Sequence, residues 1–427
     1  MEFSSLFFLF LYLPLVLCSY FLCPERLKKG ILFVSNLIFC LWNGLTDFLW
    51  FVCLGLVNYY ASKKKQPAII DLLIIMDLGV LLYFKLYPGI LEAMATILPP
   101  FVLPIMPLGF SFYTFTLVSY LVDLKHHQID VPNLIDYFNY LLFFPKLIMG
   151  PITRFSNFKK GNIHFHTGAK QLIDGLGYKM ILSTMFYTVF QSFKLDPHNF
   201  VESWVMICSY SFYLYFDFAG YSKIACGIAD MLGYQLPLNF DYPYLSHSIR
   251  EFWHRWHMSL GAFFLDYVYI PLGGSRLSNR RTCFNLLVVW LFTGLWHGTT
   301  LPFLVWGLYH YFFIVLERFY IHPFKHSLFT FFLVSISWIF FFSPNLNIAG
   351  RILLSCMNPT SLNFHDVIYY AKFALPLFLL GTFVAFRQPK KQRNTNAWLL
   401  IKQACILYFV LCMLMQNGFQ SFLYATF

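Results

Sequence analysis

The chain is 427 residues long, 59% hydrophobic and only 11% charged, with a formal net charge of +11. Soluble proteins average about 25% charged residues, and apolar windows of roughly 20 residues, the length of a bilayer crossing, recur from end to end. A soluble globular domain is therefore excluded, and the lack of short alternating apolar segments excludes a transmembrane β-barrel.

The first segment, "MEFSSLFFLFLYLPLVLCSYFL", opens with Glu2, and its positive charges follow in "PERLKKG". That order is the reverse of a cleaved secretory signal, so it reads as a first membrane helix with its N-terminus outside. Basic clusters then recur as "RLKK" (26–29), "KKK" (63–65), "RFSNFKK" (154–160), "RLSNRR" (276–281) and "RQPKKQR" (387–393). They lie between apolar segments, as cytoplasmic loops do, and do not form a nucleic-acid surface.

The intervening segments satisfy this topology by parity. Two short helices flank the turn "WNGLTD" (42–47). "DLLIIMDLGVLLYF" goes out, the proline-rich "PPFVLPIMP" (99–107) turns, and "GFSFYTFTLVSYLV" returns. Segments 172–193 and 203–232, then 283–299 and 301–318, pair in the same way, and 327–343, 367–386 and 398–424 leave the C-terminus outside. The expectation is an all-α polytopic membrane protein of ten or eleven spans, folded as a single integral domain over 1–427, in a cell inner membrane.

Two regions depart from simple spans. "DYFNYLLFFPKLIMGPITRF" (136–155) is interrupted by Pro145, Lys146 and Gly150-Pro151. Broken backbone at membrane depth is tolerated where protein or a water-filled cavity surrounds it. In "SIREFWHRWHMSLGAFFLDYVYIPLGGSR" (248–276), a helical projection puts Ile249, Phe252, Trp253, Trp256, Leu260, Phe263 and Phe264 within an arc of about 120°. Arg250, Glu251, His254 and Arg255 cover the other side, which predicts an interfacial helix.

Motifs for phosphate loops, dinucleotides, zinc proteases and serine nucleophile elbows are missing from the sequence. Ten cysteines occur singly without C-x-x-C, so no zinc or dithiol motif is present either. What remains is a set of ionisable groups in apolar surroundings, where such groups are costly and usually functional. His297, followed by Gly298, leads, because a neutral imidazole accepts a proton from an alcohol near neutral pH. The competing reading is a core histidine bonded to a carbonyl. His310, beyond Pro302, fits a neighbouring helix of the same hairpin, as a helper or as a structural hydrogen-bonding group. Asp217 needs a partner in its apolar segment: it could orient a histidine, bind substrate or tie helices together. His254 and His257 at i,i+3 lack further ligands nearby, and no metal is expected.

The run "YSFYLYFDFAGYSKIACGIADMLGYQLPLNFDYPYLSHSIREFWHRWHMSLGAFFLDYVYIPLGGSR", followed by "RRTCFNLLVVWLFTGLWHGTTLPFLVWGLYHYFFIVLER", resembles the membrane-bound O-acyltransferase (MBOAT) family. It is most similar to the bacterial branch that O-acetylates alginate, other exopolysaccharides and peptidoglycan; "PLGFSFYTFTLVSYLVD" and "FFPKLIMGPITRF" look like the same branch. The resemblance implies helices in a ring around a central funnel, with the W-H-G histidine at His297, the F-W-x-x-W-H histidine at His257 and the L-Y-H histidine at His310. His297 and His257 are then the expected catalytic positions, supported by Asp217, His310, Trp296, Trp256 and Asn239. It also implies an acyl thioester donor such as acetyl-CoA on the cytoplasmic side, with no bound cofactor, and a partner transferase outside the membrane. Where the family has F-W-R-R-W-H-I-S-L-S, this chain has His254, Met258 and Gly261 in place of arginine, isoleucine and serine, and its ending "FLYATF" also differs. The alternatives are D-alanyl transfer to teichoic acid, a transporter, or a scaffold subunit without chemistry.

Overall fold

The computed structural model describes residues 2–94, 106–320, 326–359, 364–386 and 396–415. Most of the proline-rich turn, the "RQPKKQR" cluster and the C-terminal end predicted outside lie beyond those residues. Among the described residues the chain is helical, with two isolated β-bridges in place of any sheet.

The helices follow the apolar segments. A π-type turn, Phe8–Tyr12, leads into α1 (Leu13–Leu22). Helices α2 (Glu25–Trp42) and α3 (Leu45–Ser62) flank the predicted turn at Asn43 and Gly44. They are followed by α4 (Pro67–Met94) and α5 (Phe110–Lys125). The interrupted segment gives only α6 (Leu134–Leu141) and the single turn α7 (Phe144–Leu147), with Pro145 at its start. Then α8 (Phe165–Leu176) runs through a π-type stretch, Gly177–Ser183, into α9 (Thr184–Ser192), and α10 (Phe200–Leu232) covers the next predicted span.

The predicted interfacial helix is two helices, α11 (Ile249–Arg255) and α12 (Met258–Phe264), broken at Trp256 and His257. His257 adopts φ 45°, ψ 51°, a left-handed conformation no continuous helix allows. Six of the seven apolar residues of the predicted arc, Ile249, Phe252, Trp256, Leu260, Phe263 and Phe264, are nevertheless buried, and Trp253 is half-buried. The remaining helices are α13 (Asn279–His297), α14 (Leu301–Phe319), α15 (Ser327–Phe342), α16 (Leu346–Met357), α17 (Phe364–Phe373), α18 (Leu375–Phe386) and α19 (Asn396–Met415). Sequence patterning left α16 unassigned. Within α4, Pro67–Tyr87 is by itself long and apolar enough to cross a bilayer, and α17 with α18, bent by 57° at their junction, would form a second such span.

The residues fall into two compact units. One is built mainly from Met1–Gly175 and Tyr221–Leu238, the other from Leu176–Gly220 and Asn239–Met413. In the first, buried asparagines hold the broken segment. Asn36 Nδ2 donates to Asn139 Oδ1 at 3.1 Å, and Asn36 Oδ1 accepts from the Phe144 amide at 2.9 Å. Tyr140 donates to the Thr153 carbonyl at 2.8 Å, so backbone freed by the break finds partners inside the protein. In the second unit, hydroxyls tie apolar helices together. Ser211 Oγ lies 2.9 Å from Ser335 Oγ, Ser203 Oγ lies 2.7 Å from Ser355 Oγ, and Tyr244 donates to the Ser211 carbonyl at 2.6 Å. Outward faces carry exposed large apolar side chains, among them Phe284 and Phe292 on α13 and Leu308 and Phe312 on α14, as lipid-facing helices do.

Candidate active site

All seven residues singled out from the sequence lie in the second unit. Helices α13 and α14 form a hairpin whose close approach is set by missing side chains. A Cβ on Gly307 would come within 2.5 Å of the Trp290 carbonyl oxygen, so backbone occupies the space a side chain would need. His297 is the last residue of α13 and is buried. Its ring centroid lies 4.6 Å from Trp296, 5.0 Å from Trp306 and 4.9 Å from Phe341. Gly298 follows in extended conformation, and a Cβ there would meet the Phe303 ring at 2.3 Å.

His257 is buried where α11 gives way to α12. Its ring meets Phe218 edge-on at 4.6 Å and Trp296 at 6.1 Å. Trp296 thus touches both His257 and His297. Asn239 fixes this corner: its carbonyl accepts from the Met258 amide at 3.0 Å, and its Oδ1 accepts from Ser259 Oγ at 2.6 Å. Those bonds supply the tertiary restraint that a left-handed non-glycine residue needs, at a cost of roughly 1–3 kcal/mol. Trp256 packs on Phe252 at 5.3 Å and Trp338 at 5.3 Å, away from the two histidines' shared tryptophan.

His310 is fully buried inside α14. Trp253 Nε1 donates to its Nδ1 at 3.2 Å, and its Nε2 lies 3.1 Å from Ser337 Oγ. The Ser337 hydroxyl proton is committed to the Val334 carbonyl at 2.6 Å. Ser337 therefore accepts from His310, which places the imidazole proton on Nε2. Trp306 lies 5.0 Å from His297 and 5.1 Å from His310, standing against both.

Asp217 takes a different partner from any histidine. It pairs with Lys179, in the π-type stretch of another helix, and both side chains are buried. Of the uses open to Asp217 from sequence, a tie between helices is the one this geometry supports. Lys179 was missed by sequence reasoning. The available signal was an isolated lysine and an isolated aspartate in neighbouring apolar segments, which would have to neutralise one another. The break at Trp256–His257 also separates His254 from His257, and no group of three or more His, Cys, Asp or Glu able to hold a metal occurs among the described residues.

A cavity of about 420 Å³ opens beside the site, lined chiefly by apolar side chains of α11 to α14. His257 reaches it, and Arg250, His254 and Arg318 lie along it. Burial, then the nearby Arg250 charge, hold the His254 imidazole below the usual histidine range. At neutral pH the positive charge there is carried by the two guanidiniums.

The chain matches the membrane-bound O-acyltransferase family over residues 45–359. It is 35% identical to "Probable alginate O-acetylase AlgI" of Pseudomonas aeruginosa, across 82% of this chain and 74% of that protein. It is 28% identical to the peptidoglycan O-acetyltransferase of Helicobacter pylori, across 100% of this chain and 97% of that one. Similarity to the teichoic acid D-alanyltransferase of Bacillus subtilis, 32% identical, spans 48% of this chain and 56% of its relative.

Proposed function

We propose that this chain, which belongs to the membrane-bound O-acyltransferase family, is an O-acetyltransferase of a cell-surface polysaccharide, with His297 as its base. As an acyltransferase, it joins a thioester's acyl group to an acceptor hydroxyl. His297 takes the hydroxyl proton as that oxygen attacks the thioester carbonyl. The tetrahedral intermediate then expels sulfur, and the thiolate regains the proton from the imidazolium. An ester and a free thiol result. The carrying observation is the placement of His297, buried among Trp296, Trp306 and Phe341 at the C-terminal end of α13. Aromatic walls exclude water from the acyl group, and the partial negative charge of a helix C-terminus favours positive charge developing on the ring.

His257 is the second catalytic position in this reading, coupled to His297 through Trp296. Asn239 holds the backbone corner that carries it, and Asp217, Trp256 and His310 position the surrounding helices. A single integral domain over 1–427 with ten or eleven spans in a ring, an inner-membrane location with the N-terminus outside, a cytoplasmic thioester such as acetyl-CoA and a transferase partner beyond the membrane complete it. Acetyl is favoured over D-alanyl because likeness to the O-acetylases extends over 82% and 100% of the chain, against 48% for the D-alanyltransferase.

The experiment is base-labile acyl release from isolated envelope glycans of cells carrying wild-type or His297→Ala protein at equal membrane levels. Acetate released from wild type and lost in the variant is the expected result. Alanine in its place would move the chain to the D-alanyl branch, and undiminished acetate in the variant would remove His297 from the chemistry.

A further inference from the structure

The cavity beside α11 and α12 carries two arginines, Arg250 and Arg318, that the proposed acyl transfer does not use. His297 is not among its lining residues, whereas Trp256 and His257 are. The cavity thus meets the proposed site at His257 and is lined beyond it by residues the proton transfer at His297 does not touch. Its walls are apolar: Trp253, Leu260, Phe264, Leu286, Val289 and Ile314. Arg250 and Arg318 are exposed, and neither has an ion-pair partner within 4.0 Å among the described residues. Glu317, the carboxylate next to Arg318, accepts from the Ile249 and Arg250 amides at 2.7 and 3.0 Å and also attracts the Arg250 guanidinium without forming an ion pair within 4.0 Å. Arg318 also sits in the last turn of α14, eight residues beyond His310. At 1.5 Å per residue that is about 12 Å nearer the helix end, where a headgroup layer would lie. The neighbouring outward faces of α13 and α14, with exposed Phe284, Phe292, Leu308 and Phe312, present hydrocarbon to the surroundings.

We infer that this cavity is a binding site for an anionic phospholipid, one acyl chain lying against Leu260, Leu286, Val289 and Ile314 and its phosphate held by Arg250 and Arg318. Hydrocarbon walls with two exposed guanidiniums outside any ion pair match a long apolar tail bearing a single anionic head, and basic pockets between membrane helices bind such headgroups. The volume lies within the range of small-molecule sites, roughly 300–1,000 Å³, and accommodates part of one chain. Gly261 widens the cavity: a Cβ there finds its nearest neighbour, the Trp253 carbonyl oxygen, at 3.8 Å.

The test uses the full chain in nanodiscs containing phosphatidylglycerol and phosphatidylcholine, delipidated gradually and read by native mass spectrometry. Phosphatidylglycerol should be retained selectively, at one lipid per chain. Each basic residue near a membrane surface is worth about fivefold, so Arg250→Gln with Arg318→Gln should cut that preference roughly 30-fold. Gly261→Phe, at an open helical position, should abolish retention of both lipids while thermal stability holds. Equal retention of the two lipids, or phosphatidylglycerol retention unchanged by Gly261→Phe, overturns the site. Displacement of the lipid by coenzyme A or acetyl-CoA also overturns it, and assigns the cavity to the acyl donor. None of these readouts depends on acyl transfer, so failure here leaves the proposed chemistry standing.

Discussion

Trp253 Nε1 donates a hydrogen bond of 3.2 Å to Nδ1 of His310, joining α11 to α14. Because Ser337 takes the proton-bearing Nε2 on the opposite side, the ring is held as a neutral tautomer by one donor and one acceptor. His310 thereby links α11, α14 and α15, and it touches the Trp306 that packs on His297.

Trp253→Phe keeps an aromatic body and removes the donor, leaving a buried imidazole nitrogen without it. An unsatisfied buried polar group costs about 1–3 kcal/mol, and that loss should appear in chemical denaturation of the purified protein. Ser337→Ala should cost a similar amount. If both variants match wild type in stability, the network does not hold these helices together.

Lys179 and Asp217 form a buried pair. Removing one partner strands a buried charge, so Lys179→Met or Asp217→Leu alone should destabilise by about 3–5 kcal/mol. The double variant should cost much less than the sum and should retain acyl transfer. A double variant that is stable but inactive would instead put Asp217 in the chemistry.

Gly298 has φ 179°, open to any residue, so its requirement is one of space alone. Gly298→Ala drives a methyl group against the Phe303 ring, 2.3 Å from the ideal Cβ. Overpacking of this kind costs about 1–3 kcal/mol, and displacement of His297 next door should lower acyl transfer further. Phe303→Leu in the same chain should recover most of both losses. Absence of that rescue would place the defect elsewhere.

Glu25 begins α2 and is shared by Lys160 and Lys28, at 2.7 and 2.5 Å. Hydrogen bonds from Lys160, then Lys28, hold its carboxyl at about 2. A depressed folded value contributes stability above the unfolded value of 4.5, and that contribution is lost as pH falls toward 2. The stability difference between wild type and Glu25→Gln should thus be present at pH 7 and vanish near pH 2. The carboxylate is exposed, so the difference should be small and shrink with salt. A gap independent of pH would mean that packing, not the ion pair, is responsible.

Composition and apolar spacing were enough to determine an all-helical membrane protein and most helix positions, because twenty-residue apolar runs have few other stable states. The paired α13 and α14 were legible for the same reason, and the broken 136–155 segment from its proline and glycine interruptions. The apolar arc of 248–276 was legible from helical periodicity, which missed the break that makes two helices of the one expected. Only the tertiary structure decided what each polar group does. The left-handed turn at His257 comes from Asn239 gripping Met258 and Ser259 nearly twenty residues away, which local helical periodicity cannot register. Likewise Asp217 faces Lys179, His310 is fixed by Trp253 and Ser337, and Trp296 stands between His257 and His297. A buried polar atom must find a partner wherever packing brings one, and that choice is made between helices, not along the chain.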